Sequence, residues 1–298
     1  MSGTKVVVDV EGHPVALTNL EKVMYPASGF TKGQVLDYYT RIAPVLLPHL
    51  AGRALTRKRY PDGVDGQVFF EKNAPRGMPD WVRTATLPSP GSSKGRETIR
   101  YTVIDSLAGL VWTANLASLE LHTHQWRVAA DGAALGPDQI VFDLDPGPPA
   151  SIVECCEVAL LLRPVLEADG MVPYVKTSGS KGMQLYARAD AFASSEEASA
   201  YAKDLAQRFE RSHPDLVLSR MTRAIRPGKV LVDWSQNSAA KTTVTVYSLR
   251  ARERPTVSTP ITWDEVEACT SPEDLVFTSD DVLARVAAGG DLFAPLLS

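Results

Sequence analysis

The chain has 298 residues, of which 44% are hydrophobic and 22% charged, and its formal net charge at pH 7 is −4. These values match ordinary globular proteins and exclude collagen-like, low-complexity and wholly disordered chains. The net charge also argues against a protein that coats nucleic acid with its whole surface. The longest apolar stretches fall short of the roughly 20 residues that a membrane span requires, and the N-terminus is not a signal peptide. We therefore expect a cytoplasmic protein without a membrane partner.

Local patterns predict a helix early in the chain. Thr31 and Gln34 form a capping box, and apolar residues follow at helical spacing from Val35 to Val45. Thr18 and Glu21 form a similar pattern, which suggests a second helix start. Two segments have a linker-like composition, Pro88–Gly95 and Asp131–Pro137. The second of these segments separates the N-terminal part of the chain from a C-terminal part with a more regular α/β pattern.

Beyond residue 138, short apolar runs alternate with helical patterns. Ser151 and Glu154 cap a helix that ends near Ala168, and a second helix is predicted over Ser195–Arg211. Strands are predicted at Ile140–Asp145, Val172–Lys176, Met183–Ala187, Val230–Trp234 and Thr243–Leu249. The turn between the second and third of these strands is too short for a crossover helix. We therefore expect a mixed sheet and not a doubly wound parallel one.

Two aspartates end the first of these strands. Side chains alternate along a strand, so Asp143 and Asp145 share one face with Val141. Paired carboxylates suit hard divalent ions such as Mg²⁺ or Mn²⁺, which take oxygen ligands and leave positions open for substrate phosphates. Asp233 ends another predicted strand, and if the two strands are neighbours, three carboxylates converge as in a two-metal phosphoryl-transfer site. The alternative is that all three are solvated turn residues.

The turn Ser178–Gly182 has the sequence SGSKG. It offers backbone amides, two hydroxyls and one ammonium to an anion, which are the components of a phosphate cradle. It does not match the GxxxxGK[ST] pattern, so it is not a Walker nucleotide site. Taken alone, such a pentapeptide is most often a plain hairpin turn.

Cations lie beside aromatic residues at Arg57–Tyr60 and Phe69–Phe70. This arrangement suits phosphate contact and base stacking, although we expect at least one of the two phenylalanines in the core. His122 and His124 could share a strand face before Trp126, where a histidine is more often a structural donor than a catalyst.

The charge is unevenly distributed along the chain. The segment Arg220–Arg254 has eight basic and two acidic residues, whereas residues 264–298 have eight acidic residues and one basic. The asymmetry suggests a basic face that meets an anion. Two solvated faces of opposite sign would give the same pattern.

Three widely separated motifs occur in the order found in the archaeo-eukaryotic primase superfamily. They are Val141–Gly147, Thr177–Gly182 and Val232–Asn237. Further similarity lies at Leu17–Pro26, Thr56–Pro61, Phe69–Lys72, Leu119–His122, Gln125–Arg127 and Lys241–Thr243. Over nearly its whole length the chain resembles the polymerase domain of bacterial LigD and its stand-alone actinobacterial relatives of the Prim-PolC type.

The resemblance implies an α/β (α+β) fold with a mixed or antiparallel, RRM-like catalytic core, flanking helices and an N-terminal α/β subdomain. It implies a single domain over residues 1–298, with a subdomain at 1–130 that contacts a DNA 5′-phosphate and a catalytic core at 131–298. The implied function is DNA-dependent nucleotidyl transfer by a primase-polymerase. Such an enzyme inserts nucleotides, preferably ribonucleotides, at short gaps or broken ends during DNA repair by two-metal catalysis.

The resemblance also implies residue roles. Catalysis and binding of Mn²⁺ or Mg²⁺ would fall to Asp143, Asp145 and Asp233. Nucleoside triphosphates would bind Lys58, Phe70, His122, Ser178, Ser180, Lys181, Gln184 and Gln236. DNA with a 5′-phosphate at a gap or end would bind Lys22, Lys32, Arg59, Phe69, Arg223 and Arg226. The family's second motif usually ends in histidine, whereas this chain has Gln184, an amide that donates hydrogen bonds but carries no charge.

Partners and location follow from the same resemblance. Because no ligase or nuclease segment follows the polymerase region, strand joining would need a separate ligase of the LigC type, and Ku is a further expected partner. The expected location is the bacterial cytoplasm, at the nucleoid. One alternative is a haloacid-dehalogenase-like phosphohydrolase, which also begins with DxD but has Thr or Val where Gly147 stands. The other is a non-catalytic module that binds DNA gaps or ends.

Overall fold

The computed structural model describes residues 5–89 and 97–298, so most of the predicted linker Pro88–Gly95 lies outside the described residues. The helices are α1 (Lys32–Leu50), α2 (Leu107–Asn115), α3 (Ile152–Ala168), α4 (Ser195–Ser212), α5 (Trp263–Ala268) and α6 (Ser279–Gly289). Short 3₁₀ helices cover Arg223–Ile225, Trp234–Asn237, Pro272–Leu275 and Ala294–Leu296. Within the described ranges, no helix combines the length and the apolar character that crossing a membrane requires.

The strands of the N-terminal half are β1 (Lys5–Val10), β2 (His13–Thr18), β3 (Val23–Tyr25), β4 (Phe30–Thr31), β5 (Ala54–Arg59), β6 (Phe69–Glu71), β7 (Thr84–Pro88), β8 (Thr98–Val103), β9 (Ser118–Thr123) and β10 (Trp126–Val128). Those of the C-terminal half are β11 (Ala134–Pro137), β12 (Gln139–Pro146), β13 (Tyr174–Thr177), β14 (Met183–Arg188), β15 (Val217–Leu218), β16 (Val230–Asp233), β17 (Thr243–Val244) and β18 (Pro260–Ile261). A first sheet has the order β17-β9-β5-β8-β7, with β6 also on β5, and a second sheet has the order β15-β16-β12-β14-β13-β18. The pairs β1-β2, β3-β4 and β10-β11 form small separate sheets.

The second sheet is mixed, as predicted. Strand β12 runs antiparallel to both neighbours, β14 and β16, while β15 runs parallel to β16. Ile140, Phe142 and Leu144 of β12 are buried in a core that includes residues of α3 and α4, whereas Val141 belongs to the core beneath the first sheet. The predicted alternation along this strand is confirmed. An antiparallel central strand excludes the doubly wound parallel sheet of the phosphohydrolase alternative.

The predicted helix after Thr31 is confirmed as α1, with the capping box formed by Thr31 and Gln34. The second predicted helix start, at Thr18 and Glu21, is wrong. Strand β2 ends at Thr18, and Asn19 follows with a left-handed φ of 53°. The Thr18 hydroxyl accepts a hydrogen bond from the Lys32 ammonium at 3.2 Å and therefore does not cap a helix.

The two halves of the chain are interlocked. Strand β17 comes from the C-terminal half but pairs with β9 in the first sheet. It is shorter than the predicted strand Thr243–Leu249. A strand through Leu249 is also excluded by Tyr247, which adopts a left-handed φ of 65°. The predicted linker Asp131–Pro137 contains β11, which pairs with β10. The division into subdomains 1–130 and 131–298 stays a prediction.

Candidate active site

Three carboxylates meet on one face of the second sheet. Asp143 on β12 lies directly opposite Asp233 on β16, and Asp145 follows two residues along β12 on the same face. Each offers an oxygen that lies within 4.8 Å of the other two. The two strand-end motifs, 90 residues apart in sequence, are therefore neighbours in space, which was the condition stated for a shared metal site.

The chemistry of this cluster fits a divalent cation. Burial, and then the charge of Asp145, raise the pKa of Asp143 to about 7. Burial also raises the pKa of Asp145, although Arg226 opposes the shift. Among the side chains that the structure describes, no lysine or arginine forms an ion pair with the three carboxylates. Crowded carboxylates without a bonded cation are the oxygen ligands that Mn²⁺ or Mg²⁺ takes, so the residues present fit the metal that the sequence predicted.

Two glutamines hold these carboxylates in place. Gln184 on β14 donates through Nε2 to Asp143 Oδ1 at 3.0 Å. Gln236 donates through Nε2 to Asp233 Oδ2 at 2.8 Å, while Asp233 Oδ1 accepts from the Ser235 amide at 3.1 Å. Asp233 thereby caps the 3₁₀ helix Trp234–Asn237. Both glutamines were predicted to bind nucleotide, and both contact a predicted metal ligand.

An open cleft of about 650 Å³ is lined by Asp143 and Asp145, while Asp233 lies buried beside them and does not line it. Its polar lining includes His122, Asp143, Asp145, Ser178, Ser180, Lys181, Gln184, Arg226, Gln236, Arg250 and Arg252. The structure thus brings most of the predicted nucleotide and metal residues to one cavity. Arg250 and Arg252 were missed as individual site residues, although they belong to the basic segment Arg220–Arg254, which was the signal that could have found them.

The turn Ser178–Gly182 forms one rim of the cleft. The expectation that its amides are free for an anion is wrong in part, because the Ser178 hydroxyl accepts from the amides of Ser180 and Gly182, each at 3.2 Å. Arg250 donates to the Ser178 carbonyl and Arg252 to the Ser180 hydroxyl. These hydrogen bonds fix the conformation of the turn, which carries the exposed Lys181 at the lining of the cleft.

A buried carboxylate binds a group of polar side chains at the opposite wall of the cleft. Glu120 on β9 is 2% exposed. Its oxygens accept from Lys58 Nζ at 2.9 Å, His122 Nε2 at 2.9 Å, the Tyr60 hydroxyl at 3.3 Å and the Ala251 amide at 3.1 Å. Arg250 Nε lies 3.4 Å away. Burial alone would raise the pKa of Glu120, but the His122 hydrogen bond and the Arg250 charge hold that pKa well below its usual range.

The two adjacent phenylalanines are both exposed. Phe69 is 38% and Phe70 52% exposed on β6, which pairs with β5. The expectation that one of them lies in the core is wrong, because β6 is a short edge strand. The Phe70 ring meets His122 edge-on, with 6.4 Å between ring centroids. This contact places an exposed aromatic ring beside the cleft.

The predicted DNA-binding cations lie in two separate parts of the structure, the first of which contains Lys22, Lys32 and Arg59. The Lys32 amide donates to the Lys22 carbonyl at 2.8 Å, and the Lys32 ammonium donates to the Thr18 carbonyl at 2.7 Å. Burial, followed by the charges of Lys22 and Arg59, lowers the pKa of Lys32 to about 8. These three cations therefore crowd one place on the N-terminal half.

A loop from the C-terminal half carries the other two predicted DNA-binding arginines. The side chain of Arg223 lies outside what the structure describes, and Arg226 lines the cleft. The Arg226 carbonyl packs so closely on Gly147 that a Cβ there would lie 2.2 Å from its oxygen. Only glycine at position 147 therefore allows this approach of the loop to the end of β12.

Residues 31–293 match the family model described as LigD, primase-polymerase domain. The chain belongs to this family. This LigD-type domain is 46% identical over 287 residues to the multifunctional non-homologous end joining DNA repair protein LigD of Mycobacterium tuberculosis, covering 95% of this chain and 37% of that protein. It is 31% identical over 281 residues to the bifunctional non-homologous end joining protein LigD of Bacillus subtilis, covering 93% and 43% of the two chains.

A solved structure of the polymerase domain from M. tuberculosis ligase D in complex with DNA matches this LigD-type domain with a TM-score of 0.89 and 45% identity, covering 95% of this chain and 98% of that one. The chain spans less than half the length of the curated LigD proteins. The resemblance, the mixed α/β fold class and the enzyme class of template-directed nucleotidyltransferase are thereby confirmed. The assignment of single residues to nucleotide or DNA stays a prediction.

Proposed function

We propose that this LigD-type domain inserts nucleotides at short DNA gaps or broken ends that carry a 5′-phosphate, as a step of DNA repair. The observation that carries the proposal is the convergence of three carboxylates within 4.8 Å at the base of an open cleft. The same cleft is lined by Lys181, Arg226, Arg250 and Arg252, which supply positive charge for a triphosphate.

The mechanism follows from the carboxylates and the cations at the cleft. Bound Mn²⁺ or Mg²⁺ would lower the pKa of a primer 3′-hydroxyl and neutralise the triphosphate, as in other two-metal sites. Asp143, Asp145 and Asp233 provide the ligands. In the reaction the 3′-hydroxyl would give up its proton to solvent, its oxygen would attack the α-phosphorus in line, and the bond from that phosphorus to the bridging oxygen of the β-phosphate would break, so that pyrophosphate leaves. Lys181 and Arg252, on the rim of the cleft, hold the departing phosphates.

The DNA is held on the N-terminal half. Lys22 pairs with Asp62 at 2.9 Å and Arg59 with Glu71 at 2.8 Å, whereas the buried Lys32 has no carboxylate partner among the described residues. A 5′-phosphate provides that counter-charge. Phe69 and Phe70 are exposed on the same strand and stack on bases at the edge of the gap.

Further parts of the proposal rest on the resemblance to the family. The domain prefers ribonucleotides and Mn²⁺, works with a separate ligase of the LigC type and with Ku, and acts in the cytoplasm at the nucleoid. The names of the relatives, which describe end-joining repair proteins, support this context.

Primer extension on a short gapped duplex tests the proposal. Substrates with a 5′-phosphate and a 5′-hydroxyl are compared, with ribo- and deoxynucleoside triphosphates and with Mn²⁺ or Mg²⁺. We expect extension by the parent, strongest with ribonucleotides on the phosphorylated gap, and none by the Asp143→Ala, Asp145→Ala double variant. Tight gap binding without extension under any condition would favour the non-catalytic binding module.

The lowered pKa of Lys32 predicts a pH dependence of gap recognition. A bound 5′-phosphate favours the charged ammonium, so the preference for phosphorylated over unphosphorylated gaps is present below about pH 8 and is lost as the pH rises through that value. Fluorescence anisotropy with both substrates measures it. Lys32→Ala removes the preference at every pH.

Lys32→Arg is the matched control. An arginine stays charged throughout this range, so its preference should not change with pH. A parent preference that is equally strong well above and well below pH 8 would contradict the role of Lys32.

A further inference from the structure

A lysine lies inside the protein behind the carboxylates. Lys176 on β13 is 1% exposed, and its Nζ donates to Gln184 Oε1 at 2.5 Å, to Ser258 Oγ at 2.6 Å and to the Val244 carbonyl at 3.0 Å. The Ser258 hydroxyl donates its own proton to the Thr177 carbonyl at 2.9 Å, so its oxygen is an acceptor towards Lys176. Burial lowers the pKa of Lys176, while the nearby Asp143 charge opposes the shift. Three acceptors around one nitrogen nevertheless need three N–H groups, which only an ammonium has.

The strand register places this lysine in line with the metal ligands. Lys176 on β13 is the cross-strand partner of Gln184 on β14, Gln184 is the partner of Asp143 on β12, and Asp143 is the partner of Asp233 on β16. Directly opposite residues share a face of the sheet. The four side chains therefore form one row across four neighbouring strands.

The amide of Gln184 bridges the lysine and the carboxylate. Its oxygen accepts from Lys176, and its nitrogen donates to Asp143 Oδ1 at 3.0 Å. An amide has one accepting and one donating end, and an ammonium accepts nothing. The lysine therefore determines which end of the amide faces the carboxylate.

We propose that Lys176 and Gln184 are positioning residues that fix the orientation of Asp143: the buried ammonium holds the amide oxygen, so that the amide N–H binds Oδ1 and keeps this carboxylate oriented to bind a divalent cation. The inference rests on the proposed role of Asp143 as a metal ligand. Without Lys176, the amide oxygen loses the bond that anchors it, so the side chain is free to swing away and the N–H no longer holds Oδ1 in one orientation.

The same geometry explains the departure of this chain from the family pattern at position 184. A neutral imidazole also has one accepting nitrogen and one N–H donor. With Lys176 on the accepting nitrogen, a histidine at 184 would turn its N–H towards Asp143. Glutamine and histidine are therefore equivalent in this role, and the substitution preserves the hydrogen bond to the carboxylate.

Mn²⁺ affinity, measured by electron paramagnetic resonance of the full chain without nucleotide or DNA, tests the proposal. We expect Gln184→Met and Lys176→Met each to weaken Mn²⁺ binding by roughly tenfold or more, the size typical for groups that orient metal ligands. Gln184→His should retain the parental affinity. The Lys176→Met, Gln184→Met double variant should bind no worse than the weaker single variant, because the lysine acts through the amide.

Tyr186→Phe is the matched control. It removes a buried hydroxyl from the same strand, but that hydroxyl bonds to Thr243 at 2.7 Å and not to the row of positioning residues, so Mn²⁺ affinity should not change. Losses that add in the double variant, or single variants with parental affinity, would overturn the inference. Failure of the parent to bind Mn²⁺ would instead overturn the proposed metal site. If Lys176→Met does not fold, the contrast between Gln184→Met and Gln184→His decides, because equal affinities would refute a role for the donor.

Discussion

Replacing Asp143 by Asn is expected to abolish nucleotide insertion and, at the same time, to raise the melting temperature of the metal-free protein. Loss of this proposed metal ligand is expected to remove several kcal/mol of transition-state stabilisation, which corresponds to a rate decrease of about a thousandfold or more. The gain in stability comes from the crowded carboxylates, since burial and the charge of Asp145 disfavour the ionised form of Asp143. Primer extension and thermal melts in a chelator measure the two effects.

The gain should depend on pH with a defined sign. The pKa of Asp143 is about 7 in the folded protein against 3.8 as the ordinary value. Between these values the folded protein holds the proton more tightly, so the stability that this group contributes is present below about pH 4 and is lost as the pH rises through about 7. The advantage of the Asn variant over the parent should therefore grow from about pH 5 to about pH 8 and disappear at saturating Mn²⁺.

Asp138→Asn serves as the control with the opposite sign. Asp138 is also a half-buried aspartate, but it accepts from Arg53 at 2.8 and 2.6 Å and from Arg127 at 2.8 Å. Its replacement should lower the melting temperature. If both Asn variants lower the melting temperature equally at all pH values, the carboxylates of the cleft are not in electrostatic conflict.

Replacing Glu120 by Gln is expected to lower the free energy of unfolding by about 2 to 3 kcal/mol, because it leaves the half-buried cations Lys58 and Arg250 without their counter-charge. Lys58, His122 and Arg250 all lie within 3.4 Å of one Glu120 oxygen. A triphosphate entering the cleft replaces part of that charge. The rise in melting temperature caused by nucleotide and Mn²⁺ should therefore be larger for the variant than for the parent.

Glu265→Gln is the matched control for this change. Glu265 forms ion pairs with Arg285 outside the cleft and is half-exposed, so its loss should cost about 1 kcal/mol or less and leave the nucleotide-induced shift unchanged. An equal nucleotide-induced shift in the parent and in Glu120→Gln would show that the cations around Glu120 do not face the triphosphate. Urea unfolding and thermal melts provide both measurements.

Much of the site could be predicted because it follows from local sequence patterns. The alternation along β12 determines which face carries Asp143 and Asp145, and this follows from strand geometry alone. Asp233 could be added only by assuming that β16 lies beside β12. The assumption holds, and the register places Asp143 opposite Asp233.

The parts that could not be predicted depend on long-range contacts. Glu120 and the Ala251 amide are 131 residues apart in sequence yet hydrogen-bonded, and nothing local at either position indicates the contact. The sequence of the turn is the same whether the Ser178 hydroxyl binds a phosphate or the amides of its own turn, so it could not show which partner this hydroxyl takes. The Thr18–Glu21 pattern failed for a similar reason, since Lys32 competes for the hydroxyl that would have capped a helix.

Residues 244–245, at the end of β17, limit how far the two large sheets can move relative to each other. The Thr245 amide donates to the Leu121 carbonyl in the first sheet, while the Val244 carbonyl accepts from Lys176 in the second. These hydrogen bonds connect the two sheets at the base of the cleft, which is where a hinge would have to lie if the walls moved apart. The separation of the two walls is therefore expected to be the same with and without substrate.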